Sequence, residues 1–253
     1  MFFDTHAHYD SCDYESDRDE LLLDINKSGV DIILNPSIDT KTSKTIIEMS
    51  KKYDFIYVGV GIHPHEATID EQEFEVIREL INHDKVVAIG EIGLDYHYNF
   101  KDIETQKKCF KEQLKIAIEF GLPVIIHDRE AHKDILDILK SDEFRGLKGV
   151  MHCYSGSIEM AKELLDLGYY LSFGGSITFK NAKKALEVIE YMPENKILIE
   201  TDSPYLSPVP HRGKRNDSRK LEFIAEKIAD IRKRDYNYIC EITMKNGKKL
   251  FSI

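Results

Sequence analysis

Phe120-Gly121-Leu122-Pro123-Val124-Ile125-Ile126-His127-Asp128-Arg129 joins the end of a helix to the start of a strand. Upstream of it, Phe110, Leu114 and Ala117 recur at helical spacing within 105–120. Gly121 stops that helix, Pro123 opens an apolar run, and the run ends on a histidine. The same unit repeats along the chain. Strands are expected at 2–6, 31–35, 55–59, 86–91, 123–127, 149–152, 169–173 and 196–201. Helices are expected at 15–27, 41–52, 72–81, 105–120, 131–140, 158–167 and 182–191, with two more, 218–233 and 236–251, after the last strand. Eight strands alternating with helices over about 250 residues fit an α/β fold of the (β/α)8 TIM-barrel type. A doubly wound open sheet is the alternative. No linker, low-complexity segment or repeat interrupts residues 1–253, so a single domain is expected.

The chain is 42% hydrophobic and 32% charged, as soluble globular proteins are. No apolar run reaches membrane-spanning length, and the first residues lack the basic and apolar regions of a signal peptide. Cys12, Cys109, Cys153 and Cys240 are widely spaced, with no Cys-x-x-Cys pair, which points to reduced thiols and a cytoplasmic location. A net charge of −10 argues against a protein that coats long duplex nucleic acid, but leaves open an enzyme acting on nucleic-acid ends. Neither a membrane nor an obligate protein partner is expected.

Ionisable residues close most of the apolar runs. In Phe2-Phe3-Asp4-Thr5-His6-Ala7-His8 the two histidines stand two apart, on one side of an extended chain, with Ala7 facing away. Glu91 ends the fourth run, His127 the fifth, His152 the sixth and Asp202 the eighth. In a barrel, this is where the catalytic face lies. First and eighth strands become neighbours when a barrel closes, so His6, His8 and Asp202 can share one divalent ion. His127 and His152, on adjacent strands, can share a second. Glu91 has an oxygen for each. Two ions about 3.5–4 Å apart would flank a water and a substrate oxygen.

With these residues in view, the chain resembles the TatD family of metal-dependent deoxyribonucleases, within the wider amidohydrolase-like barrels. The resemblance is carried by Asp4-Thr5-His6-Ala7-His8, Gly61-Ile62-His63-Pro64-His65, Gly90-Glu91-Ile92-Gly93-Leu94-Asp95-Tyr96, His127-Asp128-Arg129, His152-Cys153-Tyr154-Ser155-Gly156 and Glu200-Thr201-Asp202-Ser203-Pro204-Tyr205-Leu206. It extends through His211-Arg212-Gly213-Lys214-Arg215-Asn216, after which Asp217 stands where relatives often carry proline. It implies the barrel, a di-metal centre and phosphodiester hydrolysis of DNA. It also implies that Glu91 replaces the carbamylated lysine that bridges the ions in many amidohydrolases.

The resulting expectation is a deoxyribonuclease acting on single-stranded or frayed ends. Magnesium or manganese would be the ions in use, with zinc or nickel also suited to the imidazoles. Asp202 is assigned the proton-accepting role and Glu91 the spacing of the ions. His63, Arg129, Arg212 and Arg215 are assigned to substrate phosphates, Lys214 lying in the same basic loop. Arg129 and the basic loop have simpler readings: an ion pair beneath the rim for Arg129, solvated surface for the loop. Tyr96 either positions substrate or packs in the wall, and His65 either faces the pocket or stabilises its loop. Two other functions fit the same residues. One is amide or ester hydrolysis, including deacylation of an aminoacyl nucleic acid; the other is a non-catalytic, metal-stabilised binding protein.

Overall fold

In the computed structural model, which describes residues 1–98 and 100–253, the strands lie side by side in chain order and all parallel. They are β1 (Phe2–Asp4), β2 (Val30–Pro36), β3 (Ile56–Val60), β4 (Val86–Asp95), β5 (Val124–Arg129), β6 (Gly149–Met151), β7 (Tyr170–Phe173) and β8 (Ile197–Ile199). The helices between them are α1 (Arg18–Lys27), α2 (Thr40–Lys52), α3 (Glu71–Leu80), α4 (Ile103–Phe120), α5 (His132–Leu139), α6 (Ile158–Asp166) and α7 (Lys183–Tyr191). α8 (Leu221–Arg232) and α9 (Tyr236–Phe251) follow β8. Sequential order with the last strand against the first rules out the doubly wound sheet: Thr5 N–H donates to the Ile199 carbonyl, and Asp202 N–H to that of His6. The result is a nearly closed (β/α)8 barrel.

Local chemistry sets the boundaries. Asp39 and Thr42 form a reciprocal capping box on α2, and Asp102, Ser157 and Asp235 accept first-turn N–H groups of α4, α6 and α9. Gly121 takes the left-handed conformation that ends α4. β4 departs most from expectation. It runs on past Glu91 to Asp95, paired with β5 up to Asp95–Arg129. Gly93 permits this, because a Cβ there would lie 2.0 Å from the His127 carbonyl oxygen. β8 is shorter than expected: Glu200 N–H still donates to the Phe173 carbonyl of β7, but Thr201 N–H goes to the Asp4 carboxylate and the Thr201 carbonyl accepts from the Asn216 side chain.

The main core lies between sheet and helices, around Ile46, Phe110, Leu114, Val124, Ile135, Leu164, Val188 and Ile224. A second cluster fills the inside of the barrel with Phe3, Leu34, Ala88, Ile125, Val150 and Leu198. Leu250 and Phe251 join it from α9, Phe251 packing 5.8 Å from Phe3, so that α9 plugs the amino-terminal end. Alternation along the strands then decides what faces the other end. Two residues after Ile125 comes His127, after Val150 comes His152, and after Leu198 comes Glu200. On β4 a bulge sets Ile89 to Ile92 against Val124 to Ile126, and the extra residue brings Glu91 onto the inner face. Among the described residues, no helix is long and apolar enough to cross a membrane.

Candidate metal centre

At the carboxyl ends of the strands, the six residues singled out from the sequence fall into overlapping groups whose donor atoms lie within 4.8 Å of one another: His6–His152–Asp202, His6–His8–Glu91, and His127–Glu91 with His63. Glu91 is the hub. Its Oε2 lies 3.3 Å from His6 Nε2 and 3.7 Å from His8 Nε2. Its Oε1 lies 2.9 Å from His127 Nδ1, 3.0 Å from His152 Nε2 and 3.7 Å from His63 Nε2. Asp202 Oδ1 stands 3.9 and 3.8 Å from His6 and His8. The Nε2 atoms of His6 and His8 are only 3.1 Å apart, and the His6 ring stacks on His152 at 3.9 Å. The centre opens into a cavity of about 480 Å³.

So many imidazoles around one carboxylate distort every protonation equilibrium there. Burial alone would push Glu91 up, but the charges of His152, His6 and His63 pull its carboxyl well below the usual range. Burial raises Asp202, against the opposing pull of His152, His6 and His8. Burial lowers His6, helped by the neighbouring His152. His152 behaves oppositely: burial disfavours its charge, yet Glu91 and Glu200 hold it well above the ordinary imidazole value. His127 is likewise raised against burial, by Asp95 and Glu91.

Two carboxylates to which the sequence reading assigned no role fix the rings. His152 Nδ1–H donates to Glu200 Oε1 (3.2 Å), and that oxygen also accepts the Cys153 N–H at 2.6 Å. His127 Nε2–H donates to Asp95 Oδ2 (3.1 Å), while Asp95 Oδ1 accepts the N–H groups of His97 and Tyr98. His152 therefore presents Nε2, and His127 presents Nδ1, toward Glu91. A cation bound at Glu91 would take the place of protons shared with these rings, and the carboxylates behind the rings match the carboxylate–histidine arrangement of metal sites. The donor set of imidazoles and carboxylates fits zinc, nickel, manganese or magnesium. Asp4, fully buried with its carboxyl pushed up to about 7 by burial, accepts from Ser218 and from Thr201 Oγ1 and N–H, and so holds the segment carrying Asp202 against β1.

His63 lines the cavity but differs in kind. Its Nδ1 accepts the His65 N–H (3.2 Å), and burial holds its pKa well below the ordinary value, so the ring is neutral with its proton on Nε2. It faces the cavity as a donor. Arg129 also lines the cavity, its guanidinium 4.8 Å over the Tyr98 ring, with no carboxylate in ion-pair range among the described residues. Arg212 lies in a second cavity of about 440 Å³, above Phe179, which shares Tyr205 and Leu206 with the first. Arg215 must be corrected. Although it edges that second cavity, its two terminal nitrogens grip Asp17 at 2.8 and 2.6 Å and its plane stacks on Tyr14, so its charge is already spent. Tyr96 belongs to the wall, donating to Asp134 at 2.6 Å. His65 faces the pocket and pairs with Asp95 at 2.9 Å. A sign of Glu200 was available in the strand alternation, which turns it inward two residues after Leu198.

An eight-stranded barrel with buried imidazoles and carboxylates gathered at its open end defines the class of metal-dependent hydrolases. Within it the chain belongs to the TatD family, whose model, TatD related DNase, matches residues 3–252. It is 43% identical to YabD of Bacillus subtilis, an uncharacterised metal-dependent hydrolase, over 100% of both chains. It is 36% identical to YcfH of Escherichia coli, described in the same words, over 99% of this chain and 95% of that one. The solved structure of YjjV, a TatD homologue from Escherichia coli, superposes with a TM-score of 0.93 at 29% identity, covering 100% and 98% of the two chains.

Proposed function

We propose that this hydrolase cleaves phosphodiester bonds of DNA, at single-stranded or frayed ends, with two divalent ions held on either side of Glu91. The observation that carries the reading is the division of labour on that carboxylate, one oxygen toward His6 and His8 and the other toward His127 and His152. Ions bound there lower the pKa of water and polarise a phosphoryl oxygen. Asp202, raised by burial, accepts the proton of the attacking water and returns it to the departing oxygen as the P–O bond breaks. The Nε2–H of His63 and the unpaired guanidinium of Arg129 face the charge that develops on the phosphoryl oxygens. Asp95 and Glu200 keep His127 and His152 in the tautomers that leave Nδ1 and Nε2 free for ions. Arg129 in the cavity wall and the family's name favour phosphate over an amide.

The test is hydrolysis by metal-stripped protein given back magnesium, manganese, zinc or nickel, on single-stranded DNA, blunt duplex, RNA and an aminoacylated nucleic acid. Cleavage of single-stranded DNA that chelation abolishes is the expected result. Full activity in verified metal-free protein, or turnover of the aminoacyl bond alone, overturns it.

A further inference from the structure

Two exposed aromatic rings cluster with His65 beside the cavity; His65 and Tyr98 line it, and Phe100 packs against both. Tyr98 is 41% and Phe100 63% exposed. Their rings lie 5.7 Å apart with planes 32° from parallel, and His65 packs against both, 5.5 Å from Tyr98 and 4.7 Å from Phe100. From His65 the rings continue inward, to His63 at 4.4 Å and from His63 to His127 at 4.6 Å. The shelf is thus joined to the metal centre by an unbroken line of rings. Arg129 lies on Tyr98 and lines the cavity beside it.

Building on the phosphodiesterase reading, we propose that Tyr98 and Phe100 form a stacking shelf for the unpaired nucleobase next to the scissile phosphate. Arg129 and the shelf together match a nucleotide: a cation for its phosphate beside a flat apolar face for its base. A base inside a duplex already has both faces covered, so the shelf selects single-stranded or frayed ends. Because every base offers a π-face, it selects them without reading sequence. A compact amide or ester without a ring would gain nothing from this geometry.

The experiment compares a single-stranded oligonucleotide with the same oligonucleotide made abasic at its terminal positions, for the wild type, Phe100→Ala and Tyr98→Ala/Phe100→Ala. Hydrolysis is followed with divalent metal. Binding is followed by fluorescence anisotropy in an Asp202→Asn background, so that the shelf is judged even if DNA is not the bond cleaved. The double variant should raise KM and Kd for the natural strand about tenfold or more, and for the abasic strand less than about twofold. Tyr98→Phe/Phe100→Tyr, which keeps two rings, should restore wild-type values. Should the double variant fail to fold, the outward-facing Phe100→Ala carries the same comparison with a change of about threefold. Equal losses on natural and abasic strands, or no loss on either, overturn the shelf. Binding that follows the shelf without hydrolysis under any metal overturns the phosphodiesterase reading instead.

Discussion

The two ends of the barrel solve opposite problems with the same strands. At the amino-terminal end, α9 drives Leu250 and Phe251 into the interior, and Asn246 donates to the carbonyls of Glu194 and Ile197. Glu194 is clamped there by Arg232, Arg234 and Tyr238. These polar groups all have their complements. At the carboxyl end, Glu91, Asp202 and four histidines crowd together, His6 Nδ1 and Glu200 Oε2 are buried without a partner, and the crowded donors form a set that cations would balance. One end is built for stability and the other for a ligand.

If that contrast is right, damage to the open end should cost activity and spare the fold. Asp202→Asn should lower turnover about 10²–10⁴-fold while the melting temperature holds or rises, since a buried like-charged neighbour of Glu91 is neutralised. A melting temperature several degrees lower would break the comparison. Glu200→Gln and Asp95→Asn probe the next layer. Each should cost about 10–100-fold in metal affinity, read by titrating stripped protein. The basic loop sharpens the boundary between the two kinds of region. Arg212→Ala should reduce the slope of log affinity against log salt by about 0.7 per lost contact on single strands. Arg215→Ala should leave that slope alone and lower the melting temperature, because its partner is Asp17.

The smallest effect belongs to the closed end. Hydrogen bonds from Arg234 and then Tyr238 hold the Glu194 carboxyl down at about 2, against an ordinary 4.5. A depressed carboxyl stabilises the fold above its unfolded value and loses that contribution as pH falls through the folded one. Glu194→Gln should therefore cost about 1 kcal/mol at neutral pH. The deficit should shrink between pH 4.5 and about 2, with DNA turnover unchanged at neutral pH. Paired melting curves across that range decide it.

What could be read from sequence divides along the same line. The barrel was legible because each strand is an apolar run of ordinary length and each helix a regular stripe. The donors were legible because an ionisable residue after such a run has few other places to point. Of the carboxylates behind them, Glu200 follows the same alternation, but Asp95 does not. Asp95 lies beyond a glycine that looks like a strand end, and only the tight approach of Gly93 to His127 keeps β4 going. His63 resembles any ligand histidine in sequence, and its donor character comes from one backbone N–H two residues on. Arg215 and Arg212 are indistinguishable as letters; Asp17, nearly two hundred positions away, separates them.

The seam between β1 and β8 has a temporal meaning. Asp4 meets Thr201 across 197 positions of chain, and the His6–Asp202 pairing spans the same join. At 5–20 residues per second of synthesis, His6 and His8 wait roughly ten to forty seconds before the segment that completes their half of the centre exists. The side of Glu91 facing His127 and His152 can assemble earlier, from strands that are neighbours in sequence. A nascent chain that stops before β8 thus lacks Asp202, and the complete donor set exists only in the finished barrel.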